Sequence, residues 1–378
     1  MKRKILFITG TRADFGKQKT LMNAVQNHKD FELKIFCTGM HLMSKYGYTV
    51  EEIKKAGFSG NLFHFLNQVE GESMEMVLSN TIAGLSRYLH ENPVDLIIVH
   101  GDRVETLAGA MVGALNNTLV GHIEGGEVSG TIDDLIRHAT SKMSHLHFTA
   151  SHTARNRLLQ LGEKENSIFN IGSPDVDVML SNSLPKLDEV RERYDIDFED
   201  YAVAILHPVT TEIDKMKENA EKFVSAIKES DINFVIIYPN NDLGSEYIFE
   251  AYEKLRNNSN IKIFPSLRFE YFLTLLKNSL FIIGNSSAGI HEAPIYGVPT
   301  LDIGTRQNNR FVHESITHHS FDINELIMAM SKLRQKKRYP FTNHYGSGRS
   351  AENFIEILET TEIWNTRHQK RFIDINIK

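Results

Sequence analysis

Acidic, basic and imidazole side chains recur in this sequence in short bursts, each following an apolar run. His100-Gly101-Asp102-Arg103 follows Asp95–Val99, and His122-Ile123-Glu124-Gly125-Gly126-Glu127 closes the run that starts at Thr118. Thr131-Ile132-Asp133-Asp134 comes next, ahead of the basic pair Arg137-His138. Carboxylates beside arginine and histidine suit proton chemistry next to a carbonyl or at a sugar carbon, once burial and neighbours have set their pKa values. Any one of Asp102, Glu124, Glu127, Asp133 or Asp134 reads as a helix cap or an ion pair. As a set at one topological edge, they read as a reaction site. His207, at the end of the apolar run beginning at Tyr201, adds an imidazole from the second half of the chain.

A second group of motifs has the chemistry of anion binding. Gly10-Thr11-Arg12-Ala13-Asp14-Phe15-Gly16-Lys17 is a glycine-bearing turn from an apolar run into a helix. Backbone N–H groups can approach a phosphate there, with Arg12 as a bidentate partner. It is neither the dinucleotide fingerprint nor a Walker A loop, so it does not argue for NAD or ATP. Gly284-Asn285-Ser286-Ser287-Ala288-Gly289-Ile290-His291-Glu292 places hydroxyls at an expected helix N-terminus. Glu292 follows one turn in, where a carboxylate can accept from two ribose hydroxyls. An ordinary serine cap is the alternative. Gly304-Thr305-Arg306 adds positive charge at another strand end. Tyr238-Pro239-Asn240-Asn241-Asp242 has the composition of a turn.

The elements that must carry these residues alternate between apolar strands and amphipathic helices. Strands are expected at 5–9, 33–38, 96–100, 119–123 and 146–149, with helices at 17–27, 74–89, 106–115, 132–143 and 153–161. Such a βαβ rhythm argues for a parallel sheet covered on both faces. The polar stretch Ser181–Asp200 forms a seam, after which the rhythm restarts with strands at 201–207, 233–239, 261–264, 280–283 and 299–303. The expectation is an α/β chain of two doubly wound halves, 1–172 and 173–359, with ligand in a cleft between them. A helix over 350–360 could pack on either half, and the 360–378 segment is assigned back to the first. The cluster Lys332–Arg338 reads as a solvated helix end.

Composition excludes several classes. The chain has 378 residues, 41% of them hydrophobic and 24% charged, which is globular, and its formal charge of −6 gives no reason to expect nucleic acid or an anionic membrane as partner. A single cysteine, Cys37, excludes an intramolecular disulfide and fits a reducing compartment. The apolar run at the start is too short for a signal peptide, and nothing approaches a membrane span, so a cytoplasmic protein is expected. The 17 histidines show no metal-binding spacing.

With those segments placed, the sequence resembles the UDP-N-acetylglucosamine 2-epimerase family, and its hydrolysing, bacterial sialic acid branch in particular. The matching segments are GTRADFGK at 10–17, TGMHL at 38–42, HGDR at 100–103, HIEGGEVSGTIDD at 122–134, LIRH at 135–138, HPVTTE at 207–212, YPNND at 238–242, FPSLRFEYF at 264–272, GNSSAGI at 284–290 and GTRQ at 304–307. The resemblance implies the B-type glycosyltransferase fold of two Rossmann-like domains facing a cleft. It also implies a UDP-sugar substrate, no cofactor or metal, and a homodimer or homotetramer. It assigns Asp102, Glu124, Asp133 and His207 to catalysis around the sugar ring. Arg12, Asn240, Ser286, Ser287, Glu292 and Arg306 are assigned to the UDP moiety, and Arg103 to the region of diphosphate and sugar. One departure stands out: His291 occupies a position where the family commonly has arginine.

The implied reaction removes the C2 proton while the C1–O bond to UDP breaks, giving a 2-acetamidoglucal. Water then adds to yield N-acetylmannosamine and UDP. The same reaction on UDP-N,N′-diacetylbacillosamine, a UDP-sugar glycosyltransferase, and a catalytically silent nucleotide-sugar sensor are the alternatives.

Overall fold

The computed structural model describes residues 2–129, 131–335 and 338–374. The chain divides into two compact units: residues 1–127, 133–181 and 344–378 form the first, and 128–132 with 182–343 the second.

The first unit is built on seven strands: β1 (Arg3–Thr9), β2 (Phe31–Cys37), β3 (Leu62–His64), β4 (Leu96–His100), β5 (Leu119–Ile123), β6 (Leu146–Thr149) and β7 (Ile168–Asn170). Their order is β3-β2-β1-β4-β5-β6-β7, and every pairing is parallel. The central strands are continuous apolar runs because helices cover both faces. Ile5, Phe7, Ile35, Ile98 and Phe148 pack on one side, and Leu6, Ile8, Ile97 and Val99 on the other. The strand order reverses between β1 and β4, so the loops after β1, β4 and β5 open beyond the carboxyl ends around a switch point. Those loops carry Asp102, Arg103 and Glu124, and the first of them leads into a helix that opens with Arg12.

The second unit repeats the plan with β8 (Ala202–Ile205), β9 (Phe234–Ile237), β10 (Ile261–Phe264), β11 (Ile282–Gly284), β12 (Thr300–Ile303) and β13 (Ile316–His319). Their order is β10-β9-β8-β11-β12-β13, again all parallel. The switch point lies between β8 and β11, whose ends carry His207 and the serine loop. Gly284, at φ +129°, lets these two strand ends meet: an added Cβ would stand 2.0 Å from the carbonyl oxygen of Ile205.

The division expected at 172/173 falls after Ser181 instead. The helix Pro174–Met179 belongs to the first unit: Thr20 Oγ1 donates to the Pro174 carbonyl, and Asp177 accepts from the backbone N–H groups of Ser350 and Ala351. That carboxylate caps the helix Ser350–Glu359, whose Phe354 and Leu358 join the core around β1. The helix expected at 350–360 therefore packs on the first unit. The segment beyond it follows, with Arg3 lying 4.8 Å over the ring of Trp364.

Other differences are local. The first helix begins at Arg12 rather than at 17, because Thr11 Oγ1 accepts from Asp14 N and Asp14 Oδ2 accepts from Gly10 N. The polar seam holds a helix, Leu187–Tyr194, with Val190 buried. The helix expected to start at the serine loop is broken into a 3-10 turn, Ser287–Gly289, and a short helix, Glu292–Ile295. Of the basic cluster 332–338, residues 336 and 337 lie outside the described residues, as do 130 and 375–378. No helix among the described residues is long and apolar enough to cross a membrane.

Candidate active site

The first unit gathers its polar side chains around Glu124. This residue follows β5 and takes φ +63°, in the left-handed region, with Gly125 and Gly126 next in the chain. Such a conformation costs a non-glycine residue roughly 1–3 kcal/mol. It is held at both ends: Glu124 N–H donates to the Phe148 carbonyl at 3.1 Å, and its own carbonyl accepts from Arg137 Nη1 at 2.9 Å. The side chain is buried, and one hydroxyl donor and two cationic groups at ion-pair distance converge on one oxygen, Oε1. They are Ser173 Oγ at 3.2 Å, His100 Nε2 at 3.4 Å and Lys17 Nζ at 3.9 Å.

Arg137 links this carboxylate to its neighbours. It projects from the helix Ile132–Met143, is buried, and donates through Nη2 to Asp102 Oδ2. Burial works against its charge, but Asp102, Glu124, Glu127 and Asp133 outweigh that and raise its pKa further. Asp133 sits in the first turn of the same helix, buried, one turn ahead of Arg137. Asp102, Glu124 and Asp133, expected on one edge from sequence, are thus organised around one guanidinium.

Sequence reading left four members of this cluster out of its site set. His100 bridges Asp14 Oδ1, at 2.9 Å, and Glu124. Lys17 reaches Asp175 Oδ2 at 3.4 Å as well as Glu124. Arg137 and Ser173 complete the set. His100 and Arg137 stood inside singled-out motifs, so position was a usable signal for them. Ser173 and Asp175 gave none, because they lie just past the boundary expected at 172/173. Arg12 pairs with Glu52, and Arg103, at the N-terminus of the helix Val104–Leu115, has its Nε 4.0 Å from Glu105 Oε2.

In the second unit the centre is Asn285. Its Oδ1 accepts from the His207 backbone N–H at 2.7 Å, and its Nδ2 donates to the His207 carbonyl at 2.9 Å. His207 Nδ1 in turn accepts from the backbone N–H of Asn240 at 3.1 Å. In the neutral ring the proton therefore sits on Nε2. Asn240 Nδ2 also donates to Asp242. The Asn285 carbonyl accepts from Arg306 Nη1 at 3.3 Å and from Gln307 Nε2 at 2.7 Å. Ser286 is the cap of the 3-10 turn, its hydroxyl oxygen accepting from Ala288 N at 3.3 Å. Capping uses a lone pair and leaves the O–H able to donate.

His207, Asn240, Ser286 and Arg306 are thus brought together through Asn285. Ser287 follows in the turn. Glu292 opens the next short helix and is buried beside the buried His291, rather than lying one turn into a continuous helix. Among the described residues, no group of three or more His, Cys, Asp or Glu side chains is arranged to hold a metal ion.

Two parallel, doubly wound units with polar loops at their switch points define an α/β protein with a B-type glycosyltransferase-like fold. A family model described as UDP-N-acetylglucosamine 2-epimerase matches residues 23–359, and the chain belongs to that family. It is 47% identical over 378 residues to the UDP-N-acetylglucosamine 2-epimerase of Neisseria meningitidis serogroup B, covering 99% of this chain and all of the relative. It is 32% identical to the UDP-N,N′-diacetylbacillosamine 2-epimerase (hydrolyzing) of Legionella pneumophila, covering 95% and 96% of the two chains. In fold it is similar to the UDP-GlcNAc 2-epimerase of Methanocaldococcus jannaschii, solved in complex with UDP-GlcNAc and UDP. The TM-score is 0.80 at 24% identity, covering 94% of this chain and 99% of that one.

Proposed function

We propose that this chain is a hydrolysing UDP-N-acetylglucosamine 2-epimerase that feeds sialic acid synthesis. The observation that carries the reading is the Glu124 cluster. A buried carboxylate on a left-handed backbone, gripped through one oxygen and tied to Asp102 through Arg137, is an acid–base group held in a fixed orientation.

The chemistry follows from the sugar. Its C2–H is not acidic enough to be removed as an isolated step, so proton loss is coupled to departure of UDP. A carboxylate among Asp102, Glu124 and Asp133 takes the C2 proton. The C–H electrons form the C1=C2 bond, and the C1–O pair leaves with UDP. Water then adds to the 2-acetamidoglucal, oxygen to C1 and a proton to C2 from the opposite face. The products are N-acetylmannosamine and UDP, with no change of oxidation state.

His207, with its proton on Nε2, donates toward the charge that develops on the leaving UDP. Ser286, Ser287, Asn240 and Arg306 hold the diphosphate, and Glu292 accepts from the ribose hydroxyls. Arg12 and Arg103 add positive charge near the diphosphate and sugar. Donors already aimed at a developing negative charge lower the barrier without reorganising during the step.

A second reading, the same reaction on UDP-N,N′-diacetylbacillosamine, is favoured by the 32% identical Legionella relative. Incubating the protein with each UDP-sugar alone, and identifying the released sugar by NMR, separates the two. Release of N-acetylmannosamine and UDP from UDP-N-acetylglucosamine supports the first. Return of an intact UDP-sugar epimerised at C2 removes the hydrolytic step.

A further inference from the structure

The structure gives His100 an environment unlike that of the other buried histidines of the first unit. His41 lies between the hydroxyls of Thr9 and Thr49, at 3.0 and 2.7 Å. His122 lies between Ser141 Oγ, at 3.0 Å, and the Gly101 carbonyl, at 2.8 Å. These neutral partners do not compensate a buried charge, and burial pushes His41 down to about 4 and His122 to about 3. His147 faces one carboxylate, Glu163, which Lys142 and Lys370 already share. His100 has a carboxylate on each ring nitrogen: Asp14 Oδ1 at 2.9 Å from Nδ1 and Glu124 Oε1 at 3.4 Å from Nε2.

A ring with one carboxylate hydrogen-bonded at Nδ1 and a second within ion-pair distance of Nε2, an Nε2 that makes no hydrogen bond of its own, has two negative charges favouring the imidazolium. Burial opposes that charge, and Glu124 with Asp14 outweighs it, so His100 is pushed up to about 10. The charges around the pair belong to several elements. Asp14 and Lys17 come from the helix Arg12–Asn27, Asp175 from Pro174–Met179, Arg137 from Ile132–Met143, His122 from β5 and Asp102 from the loop after β4.

We propose that His100 is a positioning residue: charged, and clamped between Asp14 and Glu124, it fixes the Glu124 carboxylate as the deprotonated partner that exchanges a proton with the sugar. The role deepens the epimerase reading and rests on it. His100 acts through Glu124 and needs no contact with substrate. The arrangement also explains why Asp14 lies in the first turn of a helix whose cap it completes. One carboxylate closes the turn through Oδ2 and holds the imidazolium through Oδ1.

The test combines histidine 15N NMR of the intact protein with kinetics of His100→Gln and Asp14→Asn. The resonance pair that disappears in His100→Gln should keep both nitrogens protonated past pH 8 in the parent. If His100→Gln does not fold, the pair that moves most in Asp14→Asn identifies it. Folded His100→Gln should lose about 10- to 100-fold in kcat, the range of an impaired proton-transfer group, with KM changed less than about threefold. Its acidic limb of kcat should move to higher pH, because the cation that favours ionised Glu124 is gone. Asp14→Asn should move the limb the same way by less.

A pair that titrates near the ordinary value of about 6.5 overturns the proposal. So does a folded His100→Gln with the parent's kcat and acidic limb. If the parent releases UDP from no UDP-sugar, the functional reading falls, and the NMR titration still decides whether His100 bridges the two carboxylates as a cation.

Discussion

Asn285 holds His207 by both backbone polar groups, accepting from its N–H at 2.7 Å and donating to its carbonyl at 2.9 Å. A side-chain amide thus replaces the neighbouring strand at the point where β8 has ended, 78 residues away in sequence. The imidazole is then set by a second contact, the Asn240 N–H on Nδ1. Position and tautomer of His207 are thus fixed by the Asn285 side chain and the Asn240 backbone.

Replacing Asn285 by alanine strands the two backbone groups of the half-buried His207. Each unsatisfied group costs about 1–3 kcal/mol, so the folded protein should lose about 2–4 kcal/mol. Urea unfolding measures this. The kcat of whatever protein remains folded should fall more than KM rises, because the imidazole is misplaced rather than absent.

Arg137→Met leaves Asp102 without its guanidinium and the Glu124 carbonyl without a donor. Because Asp102 is partly exposed, the loss should fall below the roughly 3–5 kcal/mol of breaking a fully buried ion pair from one side. Arg137→Lys restores charge without the fork and should recover part of the stability, with activity lagging behind. Denaturation midpoints and kcat/KM of the two variants check the order.

The serine loop divides its roles differently. Ser286→Ala removes a cap and a hydroxyl donor, so it should lower stability by about 1 kcal/mol and weaken UDP binding about tenfold. Ser287→Ala should weaken UDP binding with little loss of stability. Calorimetric titration with UDP, beside thermal melting, separates the two effects.

Stability should fall on acidification, and the sign is set by His41 and His122. Their folded values, about 4 and about 3, lie below the unfolded value near 6.5. The unfolded chain binds more protons in that window, so their contribution is complete above pH 6.5 and is lost as pH falls toward 4 and 3. Glu163 adds to the same limb. Burial raises it, but His147, Lys370 and Lys142 hold it at about 2, so its contribution is present above about 4.5 and is lost as pH falls through 2. His100 works in the opposite direction: its contribution is complete below about 6.5 and is lost as pH rises toward 10. Urea midpoints measured from pH 8 down to 4 should decline from about pH 6.5 onward, and His122→Asn should flatten that slope.

Much of the scaffold was legible because buried parallel strands leave apolar runs, as in Ile5–Ile8, Leu96–Val99 and Phe234–Ile237. The short edge strands β3, β7 and β13 were not, since three or four partly exposed residues such as Leu62–His64 leave no pattern. The unit boundary was misplaced because Asp177 capping Ser350 joins residues 173 positions apart, which no local period records. At the site, carboxylates and serines were visible as bursts at strand ends. Asn285, Ser173 and the His100 bridge were not, because their roles exist only as distances between separate loops.

The most direct measurement is the reaction in heavy water. With UDP-N-acetylglucosamine as the sole substrate, the protein should release UDP and N-acetylmannosamine carrying one deuteron at C2, and Glu124→Gln should release neither. A product that retains the original C2 hydrogen, or a Glu124→Gln variant as active as the parent, contradicts the account.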